Sequence, residues 1–275
     1  MSNDDNERAW GKLAPSGMGR VLLLLKEWGL ARGVIKQNLR NLWMYMGLET
    51  PVDIRYAGLK FRLHPFDNTV EYKMLFGSKP RDEQELKMLR EAVADAGVFL
   101  DIGANIGYYA LMAANFGASR VLAFDPNPKV YSRMCFNIQA NGLENRVKAM
   151  QVALGAEDAT TTMIVTDGDM GGSHLAHEDG ESGTAISVRM MPLLQVLLEE
   201  GIKRVDALKI DVEGMEDFVL FPFFENSERS SWPRLVIIEH TSQKQWKRDI
   251  LAWMLESGYR EIERNRSNAM LRLNS

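Results

Sequence analysis

The chain has 275 residues, enough for one large α/β domain with an appendage of tens of residues. Its formal net charge of -4 leaves no basic excess to neutralise many phosphates, so a general nucleic-acid coat is excluded and no nucleic-acid partner is expected. The single cysteine, Cys135, rules out an internal disulfide and fits a reducing compartment. No apolar run approaches membrane-spanning length, and the polar start through Arg8 is unlike a signal peptide. A cytoplasmic protein without stable membrane insertion is the expectation.

In chain order, residues 1–17 are polar, carry Gly and Pro, and read as a flexible tail. From Met18 to Met46, Val21, Leu24, Leu25, Trp28, Ile35, Leu39, Leu42, Trp43 and Met46 recur at three- and four-residue steps, the pattern of an amphipathic helical hairpin or a kinked helix interrupted near Gly29 and Gly33. Its basic face (Arg20, Lys26, Arg32, Lys36, Arg40) reads first as a solvated surface of a cap, and second as a lid, a dimer arm or a weak anionic-membrane contact. Pro51 to Pro65 alternates around Ala57-Gly58 as a β-hairpin would, and Asp82 to Ala96 reads as a helix. These segments, 18–96, make an N-terminal helical cap and hairpin before a main domain over 97–275.

The main domain opens on Val98-Phe99-Leu100-Asp101-Ile102-Gly103-Ala104-Asn105-Ile106-Gly107-Tyr108-Tyr109. A short apolar run ending in an acid reads as a buried strand reaching a sheet edge, followed by a tight glycine turn and a helix from Tyr108 to Asn115. Strand, glycine turn and helix N-terminus make a nucleotide-type binding corner. The glycines stand at G-x-x-x-G spacing, unlike the three-glycine dinucleotide fingerprint, and Asp101 precedes them. A carboxylate there repels a pyrophosphate and disfavours NAD, but suits a cation such as S-adenosylmethionine, which carries an ammonium and a sulfonium. Arg120 to Phe124 is a second apolar strand ending in Asp125, roughly 20 residues beyond the turn, where ribose hydroxyls are read.

The residues Leu100–Tyr109, Ala123-Phe124-Asp125-Pro126-Asn127-Pro128, Asn137, Asn141-Gly142-Leu143, Ala153-Leu154-Gly155, Leu208-Lys209-Ile210-Asp211-Val212-Glu213-Gly214 and Ile238-Glu239-His240 resemble the FkbM family of S-adenosylmethionine-dependent methyltransferases. The resemblance covers about two thirds of the chain, and Lys209–Gly214 is its most specific part. It departs at Asp125, where the family more often has Glu, and at Ala156-Glu157, where an acid often follows the glycine directly. The resemblance implies a Rossmann-like class I fold, a seven-stranded mostly parallel sheet whose last strand is antiparallel. It implies S-adenosyl-L-methionine as cofactor, held by Asp101, Gly103, Ala104, Asn105, Gly107, Tyr108, Asp125, Pro126, Asn127, Ala153 and Leu154.

The rest alternates strand and helix patterns, as a mostly parallel sheet requires. Pro128 to Ala140 and Pro192 to Glu200 read as helices. Val147 to Leu154, Val205 to Asp211 and Leu235 to Glu239 read as the third, fourth and fifth strands, with Thr160–Val165 and Ala185–Met190 as additional ones. A helix then puts Trp246, Ile250, Trp253 and Met254 on one face, and Tyr259–Glu263 with Ala269–Leu273 forms a final antiparallel pair.

Ligands of open α/β sheets bind outside the carboxyl ends of the strands, where Asp101, Asp125, Asp211 and Glu239-His240 all lie. For a hydroxyl acceptor, a base must take the proton, and Asp211, Glu213 or His240 is the candidate, with Lys209 orienting or neutralising the carboxylates. A structural Lys209–Asp211 ion pair is the competing reading. The glycine-rich loop Asp167–His177 is a candidate acceptor wall. A metal on His174 and His177 is disfavoured, because no rigid helix or cysteine cluster accompanies them. The expected activity is O-methylation of a small-molecule or glycan hydroxyl. A macromolecular (protein or RNA) methyltransferase and a non-catalytic scaffold binding a partner through its N-terminal helices are the alternatives, and a homodimer through the Trp28 and Trp43 helices is open.

Overall fold

The computed structural model describes residues 3–27, 41–48, 50–77, 82–166, 170, 174–175 and 183–274. The expected helical positions Trp28 to Arg40, and most of the Asp167–His177 loop, lie outside them.

Alternation builds the central sheet. In β3 (Val98–Ile102), β4 (Arg120–Phe124), β10 (Ala207–Ile210) and β11 (Leu235–Glu239), successive side chains point to opposite faces, and both faces are apolar. Phe99, Val121, Ala123, Ala207 and Ile237 join one core; Leu100, Ile102, Leu122, Phe124, Leu208, Ile210, Val236 and Ile238 join a second. With β5 (Val147–Met150), β12 (Tyr259–Arg264) and β13 (Asn268–Leu273), the sheet has seven strands in the order β12-β13-β11-β10-β3-β4-β5. Pairing is parallel from β11 through β5, and the last strand, β13, inserts antiparallel between β11 and β12. This is the Rossmann-like class I architecture.

Helices cover both faces. α3 (Glu83–Val93), α4 (Tyr108–Asn115) and α5 (Pro128–Asn141) lie on the first; α6 (Leu193–Glu199), α7 (Glu216–Asn226) and α8 (Ile250–Glu256) lie on the second. None of the described helices is long and apolar enough to cross a membrane.

Two expectations for the main domain change. The third strand does not run to Leu154: the chain breaks after Met150, and β6 (Ala153–Gly155) leaves the main sheet to pair with β9 (Thr184–Pro192). With β7 (Ala159–Val165) and β8 (His174–Leu175) these strands form a separate four-stranded sheet. Trp246 precedes α8 instead of riding on it; its indole donates to Glu216 at 2.6 Å, which ties the loop to α7.

The N-terminal hairpin, β1 (Val52–Tyr56) and β2 (Leu59–Leu63), turns at Ala57-Gly58 as expected, and both turn residues have positive φ. Phe61 and Leu63 share one core with Phe99 and Ala110, so apolar packing is continuous across residue 96. The stretch read as a flexible tail is tied down. Asp53 and Arg62 form a fully buried ion pair. Asp53 accepts from the amides of Gly11 and Leu13, while Arg62 donates to the carbonyls of Asp5, Arg8 and Ala9. Such a pair supplies the backbone groups of an irregular segment with charge-assisted partners that sequence periodicity does not reveal. Helix α1 (Gly17–Glu27) and a helical turn over 41–45 follow, with Leu22 and Trp43 buried.

Candidate functional site

A cavity of about 590 Å³ opens at the carboxyl ends of the strands. The same alternation that sorts the cores selects its chemistry. Asp101, Lys209 and Glu239 share the parity of Phe99, Ala207 and Ile237, Asp125 and Asp211 follow directly on β4 and β10, and all five line the cavity.

The glycine turn forms one wall. The amides of Gly103 and Ala104 both donate to Phe124 O, at 3.0 and 2.8 Å, which sews the turn to the end of β4. Gly103 has φ +76°, and a Cβ there would sit 1.9 Å from Asp211 O, so only glycine allows β3 and the β10 loop to meet. Asn105 is also left-handed, at φ +51°, and its amide donates to Asp125 Oδ2 at 3.0 Å. Asp125 Oδ1 takes the Asn127 amide at 3.0 Å.

Burial raises the carboxylates. Asp101 is pushed up to about 6 by desolvation, which Lys209 and the Ala110 amide only partly oppose. Asp125 rises to about 7, again through burial, against the donors Asn127 and Asn105. Glu239 rises to about 7 by desolvation, opposed by the Thr241 amide and reinforced by the charge of Asp211. Lys209 lies opposite Asp101 in the β10–β3 register and binds Asp211 Oδ2 at 3.0 Å. Burial pulls its ammonium down, but Asp211 and Asp101 outweigh it and hold it above the ordinary lysine range. Its Nζ also sits 5.0 Å from the centre of the Tyr109 ring.

Twelve of the fifteen residues expected in the site line this cavity: Asp101, Gly103, Ala104, Asn105, Tyr108, Asp125, Pro126, Ala153, Leu154, Lys209, Asp211 and Glu213. Three do not. Gly107 turns the chain into α4 at φ +84° and faces Met134. Asn127 caps α5, accepting from the Lys129 amide. His240 has the opposite parity to Glu239, and its Nε2 contacts Asn265 O at 3.1 Å. Lys209, Asp211 and Glu213 do not alternate along one extended strand, since β10 ends at Ile210 and Glu213 is left-handed at φ +54°. A non-glycine residue held there is the kind of strain that functional loops retain.

Sequence reasoning placed Glu239-His240 together at a strand end and made His240 a candidate base, although β11 ends on Glu239 itself and the acids Asp101 and Asp125 stand within one residue of the ends of β3 and β4. It also missed Tyr109, Asn268 and the Thr69, Val70 and Lys73 side of α2 (Thr69–Phe76), all on the cavity wall. Of the Asp167–His177 loop, Met170 and Leu175 are on that wall. Among the described residues no group of three or more His, Cys, Asp and Glu is arranged to hold a metal.

An open sheet of this strand order, with a glycine turn after its first strand and an acid at the end of the next, defines a class I methyltransferase fold. Residues 101–261 match the family described as the Methyltransferase FkbM domain, more than half of the chain, and the protein belongs to that family. Methyltransferase sdnD of Sordaria araneosa is 28% identical over 199 residues, 61% of this chain and 75% of that protein. Methyltransferase 1 of Beauveria bassiana is 30% identical over 145 residues, 46% of this chain and 58% of that one. Hexuronic acid methyltransferase AglP of Haloferax volcanii is 23% identical over 141 residues, 51% of this chain and 56% of that one.

Proposed function

We propose that the protein transfers a methyl group from S-adenosylmethionine to a hydroxyl of a small molecule or glycan. The observation that carries this reading is a cavity that gathers the glycine turn and Asp125 together with Asp211, Glu213 and Glu239. The donor set suits the cofactor: a turn closed to any Cβ at Gly103, a carboxylate at Asp125 for ribose hydroxyls, and Asp101 for a cation.

The bound cofactor would supply an electrophilic methyl group on its sulfonium. Asp125 receives ribose hydroxyls, and Ala153 and Leu154 provide an apolar wall for the adenine. Lys209 compensates the charges of Asp101 and Asp211. Asp211, Glu213 or Glu239 would take the proton of the acceptor hydroxyl as its oxygen receives the methyl group. Glu239 replaces His240 in that set, because it has the buried position, the cavity face and an affinity for protons near neutrality. Most of the acceleration comes from holding acceptor oxygen and methyl group in line. A relative named for a hexuronic acid substrate supports a sugar-bearing acceptor.

The test is incubation with methyl-labelled cofactor and a panel of hydroxylated small molecules and glycosides. Label should enter as an alkali-stable methyl ether, and Glu239→Gln with Asp211→Asn should lower turnover at least a hundredfold. Label appearing only in protein or RNA would move the assignment to a macromolecular acceptor.

A further inference from the structure

We infer that Asn68, which belongs to the hairpin extension and not to the sheet, is a positioning residue for the cofactor turn. The inference rests on the methyltransferase reading for its consequence, and on the hydrogen bonds below for its geometry.

Asn68 is 2% exposed and stands at the N-terminus of α2. Its Oδ1 accepts from the amides of Val70 and Glu71 at 3.0 and 3.2 Å, an ordinary N-cap. With the oxygen so used, Nδ2 points away from the helix and donates to Asn105 Oδ1 at 2.8 Å. Asn105 is in the middle of the glycine turn. Its Oδ1 also accepts from the Ile106 amide at 2.9 Å, and its own amide donates to Asp125. The chain of bonds therefore runs from the cap of α2, through a left-handed residue, to the carboxylate proposed to read ribose. Asn105 has no neighbouring glycine to relieve its conformation on either side, and the Asn68 amide fixes its side chain.

Helix α2 is itself anchored. Arg133 of α5 donates to Asp67 at 2.7 and 2.8 Å and to Glu71 at 2.8 Å, all within the first turn and its approach. A second tie runs in parallel: Asn137 accepts from the Arg62 amide of β2 at 2.9 Å and donates to Ile106 O at 3.1 Å. Two side chains thus connect the extension to two consecutive residues of the turn, while Thr69 and Val70 supply cavity wall beside them. The extension completes the cofactor pocket instead of merely capping it. A cap needs only an oxygen, and serine or aspartate would serve; the donor reaching Asn105 is what asparagine adds.

This separation makes the test. Asn68→Ser keeps a capping oxygen and removes the donor; Asn68→Asp keeps the cap and turns an acceptor toward Asn105 Oδ1. Isothermal titration with S-adenosylmethionine should give about tenfold weaker binding for Asn68→Ser, and weaker still for Asn68→Asp, with melting temperatures close to wild type. Hydrogen exchange of the ligand-free proteins should show faster exchange at Asn105 and Ile106 and unchanged protection within α2. Cofactor affinity within twofold of wild type and unchanged exchange in the turn would overturn the inference. So would a loss of affinity accompanied by fraying of α2, because the residue would then be only a cap. If wild type takes up no cofactor, the methyltransferase reading falls, and the exchange pattern of the ligand-free variants still decides whether Asn68 holds the turn.

Discussion

Gly103→Ala is the perturbation that most directly probes how the cofactor turn meets the β10 loop. At φ +76°, an L-residue carries a backbone cost of about 1–2 kcal/mol. The new Cβ would lie 1.9 Å from Asp211 O, so turn and β10 loop must part by more than 1 Å, and forced repacking of this kind costs about 1–3 kcal/mol. Together they predict a loss of about 3 kcal/mol and a melting temperature lower by about 6–10 °C. Because the displaced partner is Asp211, cofactor titration should fail under conditions where the variant is still folded. Gly142→Ala is the control: it shares a left-handed φ of +65°, but its Cβ would meet nothing within 4 Å, so only about 1 kcal/mol should be lost, with binding intact. Urea unfolding and calorimetric titration of both variants decide the matter. A Gly103→Ala protein no less stable than Gly142→Ala, or one that binds cofactor normally, would refute the reasoning.

Glu71 is buried and raised to about 7, first by desolvation, against the opposing pull of Arg133 and the His64 amide. A carboxyl whose folded value lies above its ordinary 4.5 favours the folded state while protonated, and that contribution is lost as pH rises through about 4.5 to 7. Urea unfolding at pH 5 and pH 8 should show wild type losing more stability than Glu71→Gln over that interval; parallel pH dependences would contradict this. Arg62→Met should cost about 3–5 kcal/mol, since it leaves Asp53 buried without its cation. The same variant should release residues 3–17, so brief native trypsin treatment should cut after Arg8 or Lys12, and resistance equal to wild type would count against the proposed anchoring.

The fold was largely legible because its strands obey one rule. Short apolar runs ending in Asp101, Asp125 and Glu239 mark where β3, β4 and β11 stop, and glycine and asparagine mark the turns between. The local patterns did not show that β6 leaves the main sheet, since Val147–Leu154 holds no glycine or proline to mark a break and the break depends on pairing with the distant β9. His240 was a candidate because it stands just past the carboxyl end of β11, where ligands of open α/β sheets bind. Strand parity, which is also readable in sequence, turns it away and turns Glu239 in. The Asp53–Arg62 pair follows from the register of the hairpin about Ala57-Gly58, whereas the Asn68–Asn105 contact carries no periodic signal. It joins polar residues whose spacing has meaning only once the extension has docked on α4 and α5.

The central claim is that Asp125 and the glycine turn bind S-adenosylmethionine. Calorimetric titration of that ligand, and separately of NAD, into wild type and Asp125→Ala tests it most directly. The account predicts micromolar binding of the methyl donor, none of NAD, and a loss of about 1–3 kcal/mol in Asp125→Ala, the worth of a hydrogen bond to a charged group. Equal affinity of wild type and Asp125→Ala for the methyl donor, or preferential binding of NAD, would contradict it.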